Sequence, residues 1–127
     1  MLTPYNLEKD STMTLGEKQR VFTLLIAKLV AFAYSEGFEL TFGDAYRDPR
    51  VHGAVGVKKT YSSANSVHKD RLAVDFNLFK NGKFLTSSED HKALGAYWKT
   101  LHEDCRWGGD FSKPDGNHYS MVWQGRQ

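Results

Sequence analysis

The feature that most constrains the fold is a long run with helical periodicity early in the chain. Thr14 followed three residues later by Glu17 is the capping-box pattern that begins a helix. Apolar residues then recur every three or four positions, at Leu15, Val21, Phe22, Leu25, Ile26, Leu29, Val30 and Ala33. Gly37 is placed to end this helix. Because only one stripe of the helix is apolar, the rest of the chain must supply a surface that covers it.

Alternating apolar residues predict that this surface is a β-sheet. The predicted strands cover residues 39–46, 72–79, 83–85 and 118–123. Asn81-Gly82, between the second and third of them, is the pair that favours a type I′ hairpin turn. Ser87 or Ser88 is expected to cap a second helix that runs to about Glu103. The sequence therefore predicts one α+β domain over residues 1–127, with helices packed on a small antiparallel sheet.

Between the first two strands, residues 50–66 are rich in Gly, Ser, Lys and Asn and have no periodicity. We expect a long ordered loop there, and such loops often carry function. Trp107-Gly108-Gly109-Asp110 is expected to form a turn.

Composition excludes several classes of protein. With 40% hydrophobic and 13% aromatic residues, the 127-residue chain has enough apolar material for a core. Its net charge is only +2, and Lys58-Lys59 with Tyr61 is the one basic and aromatic cluster, so a nucleic-acid partner is not expected. The single cysteine, Cys105, excludes an internal disulfide and a metal site built from cysteine alone.

The start of the chain lacks the features of an export signal. Residues 1–14 have neither a basic region nor an apolar core, and no apolar run reaches the length of a membrane span. We therefore expect synthesis in the cytoplasm without stable membrane association. A substrate outside the membrane would then require release by another protein.

The histidines point to a metal site made from strands and loops. None of the five, at positions 52, 68, 91, 102 and 118, forms the His-x-x-x-His pair that places two ligands on one helical face. His68 lies where the loop meets a predicted strand, and His118 precedes the last strand. Asp75 lies within an apolar strand, where an unpaired charge would cost several kcal/mol to bury. His68 and Asp75 can converge only if the chain bends between them, because their separation is odd.

Two histidines and one carboxylate would fill three positions of a tetrahedral zinc ion and leave the fourth open for catalysis. Asp115, three residues before His118, is close enough to act as a general base. Arg47 could supply positive charge to a carbonyl oxygen or a substrate carboxylate. The residues alone leave a structural interpretation open, because an isolated histidine is more often structural, Asp-Gly is a common turn pair, and Arg47 beside Asp48 is also a simple surface pair.

Five short motifs follow one another along most of the chain. They are Tyr46-Arg47, Ser66-x-His68, Ala73-x-Asp75, Trp107-Gly108-Gly109-Asp110 and Asp115-x-x-His118-Tyr119. In this order and spacing the chain resembles the M15 family of zinc peptidases, the D-alanyl-D-alanine carboxypeptidase and dipeptidase group that includes phage L-alanyl-D-glutamate endolysins.

The resemblance implies a Hedgehog/DD-peptidase-like fold and one zinc ion per chain, bound by His68, Asp75 and His118. It further implies that Asp115 activates the water and that Arg47 stabilises the polarised carbonyl. Ser66 and Trp107 are the substrate-binding candidates that it suggests.

The expected function is that of a phage endolysin that cuts the L-alanyl-D-glutamate bond in the peptide stem of peptidoglycan. Such an enzyme would be a monomer without a separate cell-wall-binding domain, released through a holin-type membrane lesion. The alternatives are a D-alanyl-D-alanine carboxypeptidase or dipeptidase, and a zinc-stabilised binding module without activity. A binding module would have no need of a base such as Asp115.

Two positions depart from the family pattern. Arg71 stands where glycine is common, so a positive φ is expected to be unfavourable there. Ser120 stands where a glutamate is common, so a carboxylate partner for a metal ligand is expected to be missing or to come from elsewhere.

Overall fold

The computed structural model describes residues 13–127. It contains three α-helices and five strands: α1 (Leu15–Ser35), β1 (Phe38–Phe42), α2 (Pro49–His52), β2 (Ala73–Lys80), β3 (Lys83–Leu85), α3 (Lys92–Thr100), β4 (Cys105–Trp107) and β5 (His118–Met121). Short 3-10 helices precede β2 and α3 and follow β4. The prediction that residues 1–14 carry no export signal rests mostly on residues 1–12, which lie outside the described residues.

The long helix α1 is confirmed together with its cap. The backbone N–H of Glu17 donates to the Thr14 hydroxyl at 3.2 Å, and the Glu17 carboxylate accepts from the Thr14 N–H at 2.9 Å. Gly37 follows the last turn with φ +85°, a conformation that glycine adopts without strain. One stripe is fully buried, at Val21, Leu25, Leu29 and Ala33. Each such large apolar side chain contributes about 1.5–3 kcal/mol by leaving water.

The predicted hairpin is also confirmed. Asn81 and Gly82 both have positive φ, 52° and 75°, as a type I′ turn requires. Lys80 pairs with Lys83 beside the turn, so the register continues directly from β2 into β3.

The strands form one antiparallel sheet of five strands in the order β1-β2-β5-β4, with β3 also paired to β2. The long strand β2 is therefore the centre of the sheet. Its second half pairs with β1 and β3, and its first half pairs with β5. Helices α1 and α3 contact each other and cover part of this sheet. The α+β class with helices on one small antiparallel sheet is confirmed.

The observed elements differ from the predicted ones at several ends. β1 stops at Phe42, because Gly43 and Asp44 leave the ladder and bond to the main chain of Asp75 instead. The second helix is divided: Ser87 caps a 3-10 turn, and α3 ends at Thr100. The strand β4 was not predicted, the last strand ends at Met121, and the loop after β1 begins with α2.

Trp107 anchors the region between α3 and β5. Its indole is 8% exposed and donates a hydrogen bond to the carbonyl of Gly116 at 2.7 Å. Gly95 and Gly109 leave room for the ring, since a Cβ on either would lie 2.2 Å from a ring atom. Among residues 13–127, no helix has both the length and the apolar composition of a membrane span.

The close approach of Gly95 to Trp107 predicts that a larger residue at position 95 destabilises the fold. Gly95→Ala is expected to lower the melting temperature by several degrees. Alanine favours a helix by about 1 kcal/mol, but crowding a packed core typically costs about 1–3 kcal/mol. Thermal unfolding of the metal-free protein measures the effect.

Gly16→Ala is the matched control, because the nearest atom to a Cβ at this helical position is the end of the Arg20 side chain at 3.5 Å. This variant is expected to be neutral or stabilised. Equal destabilisation of both variants would contradict the packing assigned to Gly95.

Candidate metal centre and cleft

His68 is positioned by a short helical turn just before β2. The Ser66 hydroxyl accepts a hydrogen bond from the His68 N–H at 3.1 Å and so begins the 3-10 helix Val67–Asp70. Arg71 ends this helix in the left-handed conformation, with φ 57° and ψ 35°. The chain then enters β2 in a new direction. This is the bend that the odd separation of His68 and Asp75 required.

Arg71 adopts the positive φ that was expected to be unfavourable there. The left-handed conformation costs a non-glycine residue about 1–2 kcal/mol. However, the Arg71 guanidinium lies 3.8 Å from the centre of the Tyr46 ring. A cation–π contact of this kind contributes about 0.5–1 kcal/mol at a partly exposed site, which offsets part of the cost.

The structure brings the three predicted ligands together. Asp75 and His118 are directly opposite each other in the β2–β5 ladder, which places their side chains on the same face. Asp75 Oδ1 lies 3.2 Å from His68 Nε2 and 3.4 Å from His118 Nδ1. One ligand atom from each of the three residues lies within 4.8 Å of the other two.

Each histidine has one ring nitrogen that faces Asp75, called the inner nitrogen, and one that points away, called the outer nitrogen. The hydrogen bond of the outer nitrogen determines which nitrogen carries the hydrogen. His68 Nδ1 is 2.8 Å from the carbonyl oxygen of Ala45, and His118 Nε2 is 2.9 Å from the main-chain oxygen of Gln127. A carbonyl oxygen only accepts, so each outer nitrogen carries the hydrogen. In the neutral rings, the inner nitrogens therefore direct lone pairs towards the Asp75 carboxylate.

This arrangement fits a cation. His68 Nε2 and Asp75 Oδ1 are buried without a hydrogen-bond partner among the described residues. Burial raises the pKa of the Asp75 carboxyl, but hydrogen-bonding and charge contacts with His118 and His68, which require a proton on the inner ring nitrogen, outweigh burial and hold the pKa below its usual range. Asp75 is thus ionised, and two imidazole nitrogens with one carboxylate are a donor set typical of catalytic zinc.

Arg47 lies at the edge of this centre. Its guanidinium is 3.5 Å from Asp75 Oδ2 and donates to the Asp44 carboxylate at 3.1 Å. Asp44 in turn accepts a hydrogen bond from the Tyr61 hydroxyl at 2.6 Å, which lowers the pKa of its carboxyl. A longer contact of 3.4 Å joins Arg47 to the Ser66 hydroxyl. Arg47 is therefore fixed on several sides, and Asp44 and Tyr61 are partners that sequence reasoning did not identify.

Asp115 occupies the rim of the cleft. Its backbone is held by a hydrogen bond from its N–H to Gly108 O at 2.9 Å and by one from the His118 N–H at 3.1 Å. Its side chain is exposed. A cavity of about 480 Å³ is lined by Asp115 together with Arg47, Ser63, Asn65, Ser66, His68, Phe111, Lys113, His118, Gly125, Arg126 and Gln127. Asp115 also lines a second cavity of about 300 Å³, so it stands where the two meet.

Ser66 and Trp107 differ in their relation to this cleft. Ser66 lines the larger cavity and caps the turn that carries His68. Trp107 lines neither cavity. It lies beneath the turn that contains Asp115 and Gly116, which indicates that it supports the cleft from below.

Lys69 fastens the long loop beside the cleft. Its ammonium, on a residue only 5% exposed, donates to the carbonyls of Ala54, Val57 and Ala64 at 3.2, 2.7 and 3.2 Å. Burial lowers the pKa of this ammonium. No pattern in the sequence predicts this role, because the partners are main-chain oxygens.

Ser120, the second departure from the family pattern, also contacts the main chain. Its hydroxyl donates to the same Gln127 oxygen as His118 Nε2, at 2.9 Å. The partner of His118 thus comes from the segment after β5, and no pattern in the sequence identified it.

Comparisons with known proteins identify a similar family and a similar fold. Residues 60–121 match the model of an M15 peptidase family described as D-alanyl-D-alanine carboxypeptidase, and this range includes His68, Asp75, Asp115 and His118. No match was found among curated protein sequences.

A solved structure shares the fold. The crystal structure of the L-Ala D-Glu endopeptidase ChiX from Serratia marcescens superposes with a TM-score of 0.57 over 91% of each chain, at 17% sequence identity. Residues 60–121 are thus similar to the M15 peptidases, and the chain shares the fold of this L-Ala D-Glu endopeptidase.

Proposed function

We propose that this peptidase holds a zinc ion between His68, Asp75 and His118 and hydrolyses the peptide stem of bacterial peptidoglycan. The observation that carries the proposal is the convergence of two imidazole nitrogens on one buried carboxylate, at 3.2 and 3.4 Å, at the wall of an open cleft. Three electron-pair donors so close together repel one another unless a proton or a metal ion lies between them, and two imidazoles with one carboxylate are a donor set that suits zinc.

Charge in the cleft supports an acidic substrate. Arg47, Lys113 and Arg126 line the larger cavity, where Asp115 is the one acidic residue among the described lining residues. Arg47 and Arg126 are also paired with Asp75 and Asp70, so Lys113 is the cation of this lining without an ion pair in the described part of the chain. Peptidoglycan stems carry free carboxylates that such a cleft would attract.

For the bond that is cut, we propose the L-alanyl-D-glutamate bond, which the name of the Serratia enzyme contains. The biological setting that we propose is a phage endolysin, a class included in the family that the sequence resembles. The second candidate is a D-alanyl-D-alanine carboxypeptidase, which is the printed description of the matching family.

In this mechanism, bound zinc would supply Lewis acidity, polarising the peptide carbonyl and lowering the pKa of a water molecule. Asp115, exposed at the rim, takes a proton from the attacking water and returns it to the leaving amine. One C–N bond is thereby replaced by a C–O bond. Arg47 is held close enough to the centre to place positive charge near the carbonyl oxygen as negative charge develops on it.

Metal content is the first test. Wild-type protein is expected to bind about one zinc per chain, and a strong chelator should abolish hydrolysis until zinc is restored. His68→Ala, Asp75→Ala and His118→Ala should each lose most of the bound zinc, because each removes one of three protein ligands. Elemental analysis of the purified variants measures this.

His52→Ala is the control, since its ring bonds to Thr60 outside the centre at 2.6 Å. It should keep the zinc of the wild type. Hydrolysis that persists after complete metal removal would rule out the mechanism.

Substitution of Asp115 tests whether this residue acts as a general base or as a metal ligand. Asp115→Ala is expected to keep its zinc and its melting temperature, because the side chain is exposed and the turn is held by main-chain bonds. The rate of hydrolysis should fall at least about 10²-fold, the usual lower end for loss of a positioned acid or base. Asp115→Glu should recover part of it.

The matched control for Asp115 is Asp110→Ala, which removes an exposed carboxylate paired with Lys99 at 2.7 Å. That variant should keep nearly full activity. If Asp115→Ala loses zinc together with activity, the residue is a ligand instead.

The bond that is cut is identified by mass spectrometry of purified peptidoglycan fragments after digestion. Cleavage by an L-alanyl-D-glutamate endopeptidase creates new amino termini at D-glutamate. Release of free D-alanine would instead identify the carboxypeptidase.

A further inference from the structure

His118 uses both of its ring nitrogens, and the outer one is bonded to a part of the chain that follows the sheet. Nδ1 faces Asp75 Oδ1 at 3.4 Å, while Nε2 lies 2.9 Å from the main-chain oxygen of Gln127. Since that oxygen only accepts, the contact requires hydrogen on Nε2 and leaves Nδ1 with the lone pair. This is the form of the ring that can bind a metal.

The same oxygen accepts a second hydrogen bond. Ser120, fully buried, donates its hydroxyl to Gln127 O at 2.9 Å. Ser120 is two residues after His118, so both side chains leave β5 on the same face. A main-chain oxygen, whether of a carbonyl or of a carboxylate, has at least two lone pairs and can serve both donors.

The segment that presents this oxygen folds back in a tight turn. Trp123 and Arg126 exchange two main-chain hydrogen bonds of 2.9 Å. Gln124 and Gly125 between them have φ values of 50° and 73°, the combination that a type I′ turn needs. The turn reverses the chain so that Gln127 comes back to β5.

An ion pair then ties the returning segment to the first ligand. Arg126 contacts the Asp70 carboxylate at 2.8 Å, and the two side chains are only 16% and 12% exposed. Asp70 belongs to the same 3-10 helix as His68. The segment is thus fixed at β5 through Ser120 and at the His68 helix through Arg126.

We propose that residues 122–127 position His118 for metal binding through the main-chain oxygen of Gln127, with Ser120 and Arg126 as the positioning residues. This inference rests on the zinc site proposed above. His68 shows the same arrangement, with Ala45 O as the acceptor at 2.8 Å. Partners of this kind fix the ring of a metal-bound histidine, and their loss typically weakens metal affinity by about 10–100-fold.

The test measures zinc affinity by competition with a chromophoric chelator. Ser120→Ala and Arg126→Ala are each expected to weaken zinc binding about tenfold, and the double variant more. Arg126→Lys keeps a cation for Asp70 and should recover part of the affinity. The absorption spectrum of the Co²⁺-substituted protein should change in the Ala variants, because it reports ligand geometry.

Two controls separate positioning from a general effect on the fold. Gln127→Ala keeps the main-chain oxygen and should bind zinc as the wild type does. Arg50→Ala breaks an ion pair with Asp48 in which the arginine is 89% exposed, and it should also be neutral. Metal-free melting temperatures of all variants show how much each substitution affects the fold itself.

The outcomes are distinct. Wild-type protein that binds no zinc would overturn the proposed function itself. Wild-type zinc affinity and an unchanged Co²⁺ spectrum in both Ser120→Ala and Arg126→Ala would overturn the positioning role while leaving the function intact. Weaker binding by Gln127→Ala would show that its side chain, and not the main-chain oxygen, is the partner.

Discussion

An ionised carboxylate inside an antiparallel sheet is the constraint around which this molecule is arranged. Asp75 lies on the central strand between the buried residues Val74 and Phe76, and its side chain is only 13% exposed. A charge in that position must be compensated by partners that are brought to it. The sheet supplies His118 directly opposite on β5, and the turn before β2 supplies His68.

The outer partners of the two histidines are main-chain oxygens. Ala45 O follows the end of β1 and Gln127 O follows β5, so segments far apart in sequence hold the rings from opposite sides. An oxygen of the main chain is present whatever the side chain is. The orientation of the ligands therefore depends on the path of the backbone rather than on the identity of the residues at positions 45 and 127.

Much of the fold follows from local patterns in the sequence. The helix α1 was predictable because its capping box and its apolar stripe agree, and the β2–β3 hairpin because Asn81-Gly82 strongly favours one turn. β4 escaped prediction because it has only three residues and is defined by its pairing with β5, which is distant in the chain. β1 was predicted to reach residue 46 but ends at Phe42. The main chains of Gly43 and Asp44 bond to Asp75 instead of continuing the ladder, which the residue pattern does not show.

The candidate site also has features that the sequence predicts and features that only the structure shows. Its candidate ligands and Asp115 were predicted from residue types and motif order, and the structure brings the three candidate ligands together. The cost of a left-handed Arg71 was predicted, but the contact with Tyr46 that offsets part of this cost is visible only in the folded chain. Main-chain acceptors such as Gln127 O leave no trace in a sequence, since every residue carries one.

Lys69 has a consequence for how substrates enter. Its ammonium binds main-chain oxygens of the loop over residues 54–64. Ser63, Asn65 and Ser66, at the end of this loop, form one wall of the larger cavity. The bonds that hold the loop are internal to the protein and involve neither a ligand nor an anion. A wall held by such bonds is part of the folded protein before any substrate binds, so this side of the cleft is preformed. On the proposed function, access to the peptide bond would then depend on the shape of the groove rather than on closure of this loop.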